Sequence, residues 1–169
     1  MTQITFKENP VAIKGEFPEI GQKAPEAQFT RADLSDVSIK EYEGKVVVLN
    51  IFVSLDTGVC AKSIHQFNQQ FNRNENVQVL HVSMDLPFAQ KRFCETENSE
   101  NSEAVSVFRS SFKETYGVEL ENSGLRGLCA RSVIVLDQSQ TIIHAEQVSE
   151  ITQEPNYEAA ANAVQKAVT

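Results

Sequence analysis

Lys45-Val-Val-Val-Leu-Asn-Ile-Phe-Val53 runs straight into Ser54-Leu-Asp-Thr-Gly-Val-Cys60, and these sixteen residues decide how the chain is read. The first nine are almost all apolar and β-branched, the pattern of a central strand buried on both faces. Ser54, Asp56, Thr57 and Gly58 are residue types that end a strand and start a loop. Cys60 then falls in the first turn of a helix expected from Val59 to Asn72. Cys60, Ile64, Phe67 and Phe71 share one of its faces at helical spacing.

Working outward, Asn76–Ser83, Ser132–Leu136 and Thr141–Val148 read as further strands, with Asp137-Gln-Ser-Gln140 as the hairpin connection between the last two. Asp85–Cys94 opens with Asp and then Pro, a helix-start signature. Ala104–Tyr116 and Asn156–Val168 are expected to be helical as well. At the start of the chain, Ile4–Lys7 and Val11–Lys14 predict a β-hairpin with Pro10 in its turn. Gly21–Asp36 reads as mostly loop, with Phe29 and Leu34 as apolar anchors. The order β-α-β-α-α-β-β-α predicts an α/β fold, a central mixed β-sheet flanked by helices. The antiparallel final pair fits a thioredoxin-like fold, and residues 1–169 read as a single domain with an N-terminal β-hairpin.

Composition narrows the function classes. Fifteen Lys and Arg stand against 23 Asp and Glu, a net charge of −8. So acidic a chain is poorly suited to nucleic acid or to anionic lipid, which both require clustered basic residues. The absence of Trp and an aromatic content of 8 % argue against a base-stacking platform. The opening residues have no apolar run of signal-peptide length, and Val46–Val53 is too short to cross a bilayer, so a cytoplasmic location is expected. Three cysteines, Cys60, Cys94 and Cys129, are too few and too dispersed for a disulfide scaffold. No CxxC or CxxH pair is present, and His65, His81 and His144 show no ligand spacing. They read as structural or exposed, and neither a metal nor a cofactor is called for.

The chemistry therefore rests on the thiols. At the start of a helix, unpaired N–H groups and the positive end of the dipole favour thiolate over thiol, and the thiolate is the nucleophile. On local pattern alone, Cys60 reads equally well as a small core residue opening the apolar stripe. Cys94 ends the helix that follows the next strand, about 10 Å along its axis from Pro87. A disulfide between the two would require a helix end to unwind, because bridged Cα atoms lie within about 7 Å. Cys94 reads otherwise as a buried residue beside Phe88 and Phe93. Thr57, three residues before Cys60, suits a hydroxyl at the N-cap facing the first turn. Arg131 opens a strand after a Gly- and Leu-rich loop, as either a site guanidinium or a surface arginine.

Val53-Ser-Leu-Asp-Thr-Gly-Val-Cys60 and Ser83-Met-Asp-Leu-Pro-Phe-Ala-Gln-Lys-Arg-Phe-Cys94 resemble the two cysteine motifs of the bacterial thiol peroxidases, the atypical two-cysteine branch of the peroxiredoxins. Gly127-Leu-Cys-Ala-Arg-Ser-Val-Ile-Val-Leu-Asp137 matches that family's arginine-bearing strand. Glu150-Ile-Thr-Gln-Glu-Pro-Asn-Tyr-Glu-Ala-Ala160 matches its C-terminal segment, so the likeness spans essentially the whole chain. The resemblance implies that Cys60 is the peroxidatic cysteine, which becomes sulfenic acid on attacking a peroxide. It implies that Thr57 orients thiolate and peroxide, and that Arg131 stabilises the thiolate and the charge on the leaving oxygen. Cys94 would be the resolving cysteine, forming an intramolecular Cys60–Cys94 disulfide that thioredoxin reduces. Hydrogen peroxide and organic hydroperoxides would be the substrates, and a homodimer the assembly.

Two positions depart from the family pattern. Where the Pro-x-x-x-Thr-x-x-Cys motif begins with proline, this chain has Val53, which keeps the apolar bulk over the site but restores an N–H and frees φ. The expectation is a formed site with looser geometry and slower turnover, which leaves open a second reading as a peroxide-sensing or binding protein. Cys129 stands where the family has a small apolar residue. It reads as a packed core thiol, although strand alternation would put it on the same face as Arg131, where it could form a side-product disulfide with Cys60. Glu95–Glu103 is acidic and polar and reads as a solvated, mobile loop.

Overall fold

The structure, a computed structural model, describes residues 3–71, 74–94 and 101–168, the side chains of Gln3 and Cys94 excepted. Strands β1 (Gln3–Phe6) and β2 (Asn9–Lys14) form the N-terminal hairpin. Its turn is Lys7-Glu8, both at positive φ (51° and 68°), the two-residue geometry that matches strand twist. Pro10, expected in that turn, instead lies in β2 opposite Thr5. The backbone of Thr5 bonds away from β2, to Ser149 and Ile151, so the proline's missing N–H interrupts no ladder bond between the two strands. Strand β8 (Glu119–Leu120) adds to β2 and completes a small antiparallel sheet.

Among the described residues the main sheet has seven strands. β3 (Gln28–Thr30), inside the segment Gly21–Asp36 expected to be mostly loop, forms an edge hairpin with β4 (Asp36–Ser38), which begins at its last residue. Phe29 is buried as expected. Leu34 is not an anchor, being 44 % exposed and at φ 71° in the turn. β5 (Val46–Ile51), α1 (Gly58–Phe71), β6 (Val77–Ser83), α2 (Pro87–Cys94) and β7 (Ser102–Ser106) follow. Then come the short α3 (Phe112–Thr115), β9 (Ser132–Leu136), β10 (Ile142–Gln147) and α4 (Tyr157–Val168). The sheet order is β10-β9-β5-β6-β7-β3-β4. β5, β6 and β7 run parallel to one another, whereas β9 is antiparallel to β5, β10 to β9, β3 to β7 and β4 to β3. This is a thioredoxin-like mixed sheet with flanking helices.

The helix expected over Ala104–Tyr116 is corrected. Its first residues pair with β6 as strand β7, and only Phe112–Thr115 is helical. Ala104-Val105-Ser106-Val107 alternates small with β-branched residues, and pairing with a central strand outweighs the helix-forming residues that follow. Of the segment expected as a mobile loop, residues 95–100 lie outside the described part. The rest is ordered: Asn101 is buried, and Glu103 in β7 binds Arg31 through Nε at 2.6 Å.

Alternation along β5 divides the core. Val47, Leu49 and Ile51 face one side with Phe29, Leu80, Phe112, Tyr116 and Ile134. Val46 and Val48 face the other, against Phe67 and Phe71 of α1 and Val164 of α4. Each such side chain contributes about 1.5–3 kcal/mol of burial. On the α1 side sits a buried polar chain. Asn50 Nδ2 donates to Ser63 Oγ (3.3 Å) and to His81 Nδ1 (3.0 Å), and His81 Nε2 is 2.9 Å from Asn68 Oδ1. An acceptor at Nδ1 leaves the proton on Nε2, so His81 is neutral. Burial holds its pKa down at about 3. These bonds fix α1, and with it Cys60, on the sheet.

Candidate active site

Leaving β5, the chain packs Phe52 and Val53 inward and turns through Ser54–Thr57. Thr57 is the helix N-cap by its backbone, its carbonyl accepting the Ala61 N–H at 3.1 Å. Its hydroxyl departs from expectation. Rather than capping the first turn, it donates back to the Ser54 carbonyl at 3.0 Å. Thr57 is exposed, and Cys60, in the first turn of α1, is wholly buried among Phe52, Val53, Leu55 and Ile64. Both Cys60 and Cys129 are free thiols.

Arg131 immediately precedes β9, the strand next to β5, and is only 2 % exposed. Its Nη2 donates to Cys60 Sγ at 3.1 Å and its Nε to the Ile151 carbonyl at 2.9 Å. Nη1 is buried with no hydrogen-bond partner among the described residues. Segment 148–152 holds this guanidinium in place. The Val148 N–H donates to the Arg131 carbonyl, and the Ile151 N–H to Thr5 of the hairpin, both at 2.9 Å. Glu150 locks the segment to the hairpin by accepting from the Glu8 N–H, Thr5 Oγ1 and Thr152, which together hold its carboxyl down at about 2. The hairpin and Glu150 are thus supports of the site that the sequence did not flag. Their signal was only the long-range pairing, which no local pattern carries.

A buried guanidinium needs a counter-charge. Among the described residues no carboxylate lies within ion-pair distance of Arg131, and the sulfur at 3.1 Å is the group able to supply an anion. In front of them lies a cavity of about 130 Å³ lined by Val53, Thr57, Val59 and Arg131 together with Phe6, Leu125 and Ile151. Apolar walls with one cation suit a small polar head carrying a hydrocarbon tail. A larger groove of about 600 Å³ between β10 and α4 shares no residue with this cavity and holds neither thiol nor guanidinium.

Cys60, Thr57, Val53 and Arg131 are therefore brought to one place. Cys94 ends α2 as the sequence indicated, but its thiol is outside the described part. Phe88, expected beside it, is 67 % exposed, whereas Phe93 packs toward the Cys60 cluster. Asp85 does not cap α2. The Leu86 carbonyl receives the first helical bonds, from Ala89 and Gln90, with Pro87 at the first helical position. Cys129 precedes β9 rather than lying in it, and belongs to the core on the opposite side of the sheet with Phe112 and Tyr116. The shared face with Arg131 that alternation suggested is not formed. His65 is exposed and His144 half-buried. Among the described residues, no helix is long and apolar enough to cross a membrane.

Residues 19–161 match the Redoxin family model. The chain is 46 % identical over 160 residues to a thiol peroxidase of Corynebacterium glutamicum, covering 95 % of this chain and 97 % of that one. It is likewise 46 % identical over 160 residues to a thiol peroxidase of Mycobacterium bovis, covering 95 % and 96 %. The crystal structure of a peroxiredoxin-like protein from Aquifex aeolicus superposes with a TM-score of 0.93 at 38 % identity, over 99 % of this chain and 98 % of that one.

Proposed function

The chain belongs to the Redoxin family, among its thiol peroxidases, and from that membership we propose that it reduces hydrogen peroxide and organic hydroperoxides at Cys60, within one domain spanning residues 1–169. The observation that carries this reading is the 3.1 Å contact between Cys60 Sγ and a buried guanidinium that has no carboxylate partner among the described residues. The Cys60 thiolate attacks one peroxide oxygen. The S–O bond forms, the O–O bond breaks, and the departing alkoxide or hydroxide takes a proton to leave as alcohol or water. Sulfur is oxidised to sulfenic acid and the peroxide is reduced by the same two electrons. Arg131 neutralises the thiolate, and its free Nη1–H donates to the peroxide as charge builds on the leaving oxygen. Thr57 and Val53 line the approach, and the apolar walls keep water from the reacting atoms.

Cys94 resolves the intermediate. Its thiolate displaces hydroxide from Cys60 sulfenic acid, giving an intramolecular disulfide and, with one proton, water. Because Cys94 sits at the far end of α2, that step proceeds through local unwinding of a helix end. A thioredoxin dithiol then returns both cysteines to thiols. The cycle runs in the cytoplasm, and the assembly is a homodimer. A steady, peroxide-dependent drain of reducing equivalents through thioredoxin tests this cycle, and a single stoichiometric oxidation with no further turnover contradicts it. That second outcome is the signature of a peroxide sensor, the alternative that Val53 at the motif proline position leaves open.

A further inference from the structure

The Asp85 carboxylate accepts three hydrogen bonds beside the Cys60 loop, yet the peroxidase cycle leaves it without a task. Its Oδ1 accepts from Ser54 Oγ at 2.8 Å, and its Oδ2 accepts from the Leu55 N–H at 2.8 Å and from Ser83 Oγ at 2.7 Å. Its own carbonyl accepts from Ser106 Oγ of β7 at 2.6 Å. The first two donors belong to the loop that delivers Cys60. The same Ser54 receives the Asp56 N–H on its Oγ and the Thr57 hydroxyl on its carbonyl. Asp85 itself lies two residues before Pro87, the first residue of α2. Deeper in α2, Gln90 Nε2 donates to Ser83 Oγ and the Val105 carbonyl, anchoring the helix to β6 and β7. Beyond Asp85, loop and helix do not pack tightly. A cavity of about 250 Å³, lined by Leu55, Asp56, Ala89, Arg92 and Phe93, lies between them.

We propose that Asp85 is a positioning residue that latches the Cys60 loop to the start of the Cys94 helix and so sets how readily the oxidised site opens. With the latch closed, Ser54 and Leu55 hold the first turn of α1 against the sheet, the geometry in which Cys60 meets Arg131 and peroxide. For disulfide formation the loop and α2 must part, and the bonds broken first are the two that the Asp85 carboxylate accepts from Ser54 and Leu55. A carboxylate accepting several donors in a partly buried position makes stronger bonds than a neutral acceptor, so the latch delays opening. Delay has a chemical consequence. Sulfenic acid that waits can attack a second hydroperoxide, breaking its O–O bond to give sulfinic acid and one alcohol or water, in competition with Cys94. Asp85 therefore governs the partition between disulfide and overoxidation. This rests on the reading of Cys94 as the resolving thiol.

The test follows the parent, Asp85→Asn, Asp85→Ala and Ser54→Ala through graded hydrogen peroxide, reading disulfide and Cys60 sulfinic acid by mass spectrometry and both reaction steps by stopped flow. Asp85→Asn keeps shape and one acceptor oxygen, and Ser54→Ala removes one bond from the loop side, so each guards against Asp85→Ala failing to fold. Disulfide formation is expected to accelerate about tenfold or more in Asp85→Ala, which loses both charge-assisted bonds to the loop, and less in the other two. Sulfinic acid at a given peroxide dose falls in the same order. Unchanged partition in all three variants, with only their melting temperatures lowered, shows Asp85 to be merely structural and overturns the proposal. A parent that forms no Cys60–Cys94 disulfide overturns instead the resolving role of Cys94.

Discussion

Cys60 and Cys129 are equally shut away from solvent, each 0 % exposed, yet their surroundings share almost nothing. Cys129 lies on the Phe112–Tyr116 side of the sheet, and burial pushes its thiol up to about 12. Cys60 lies on the other side, at the start of a 14-residue helix, with a guanidinium 3.1 Å from its sulfur and a cavity beyond. Burial alone therefore does not make a thiol reactive; in an apolar core it does the reverse. On the proposed reading the difference is made by one cation, Arg131 just before β9, held by a backbone carbonyl in a segment tied to the N-terminal hairpin.

Removing that cation breaks the comparison most severely. Arg131→Ala should leave Cys60 in surroundings much like those of Cys129. The expected loss in the rate of Cys60 oxidation by peroxide is about 100- to 1000-fold, as for other preorganised charge-stabilising donors. Stopped-flow oxidation of folded variant checks it, and a loss of only a few-fold detaches the chemistry from Arg131. On the other side of the sheet, Cys129→Ser should cost about 1–3 kcal/mol of stability, because it places a hydroxyl in a buried apolar cluster. Peroxide turnover should stay at the parental rate. Folded Cys129→Ser that has lost turnover would give Cys129 a part in the reaction.

Acid should act through two supports of the site. His81 is held neutral well below its ordinary value of 6.5. The unfolded chain therefore binds its proton first, and the stability this group contributes above pH 6.5 is lost as pH falls toward about 3. Glu150, held below its ordinary 4.5, adds a loss that begins near pH 4.5 and runs down toward about 2. Chemical denaturation between pH 7 and pH 4 should show declining stability, with a shallower slope in His81→Gln. Equal slopes in parent and variant contradict the assignment. The smallest effect is reserved for Val53, which is 3 % exposed and closes the apolar wall beside Cys60. Val53→Pro should raise peroxide turnover by about two- to fivefold, the scale of a backbone restriction at a compatible position. Unchanged turnover would make this departure neutral.

Much of this was readable from the residues themselves. Val46–Ile51, Val77–Ser83 and Ser132–Leu136 are dense β-branched runs whose only comfortable place is a buried sheet. The stripe Cys60, Ile64, Phe67, Phe71 faces the core as its spacing indicates. Strand β7 was misread because Ala104–Ser106 is short and its strand character comes from pairing with β6, a non-local contact. Pro10 was placed in the turn because proline favours turns, whereas two positive-φ residues, Lys7 and Glu8, make it. At the site, Cys60, Thr57 and Val53 are near in sequence, and Arg131 became legible only through family likeness. The bonds of Asp85 to Ser54 and of Glu150 to Thr5 join residues 31 and 145 positions apart, and no pattern in a single sequence encodes them.

The central claim is that one buried sulfur does the chemistry and a second, distant one completes it. Mass spectrometry after one equivalent of hydrogen peroxide, on the parent and on Cys94→Ser, addresses it most directly. The parent should lose two hydrogens and carry a Cys60–Cys94 linkage, and Cys94→Ser should gain one oxygen, mapped to Cys60. Oxygen found mainly on Cys129, or a parent left unmodified, would contradict the account.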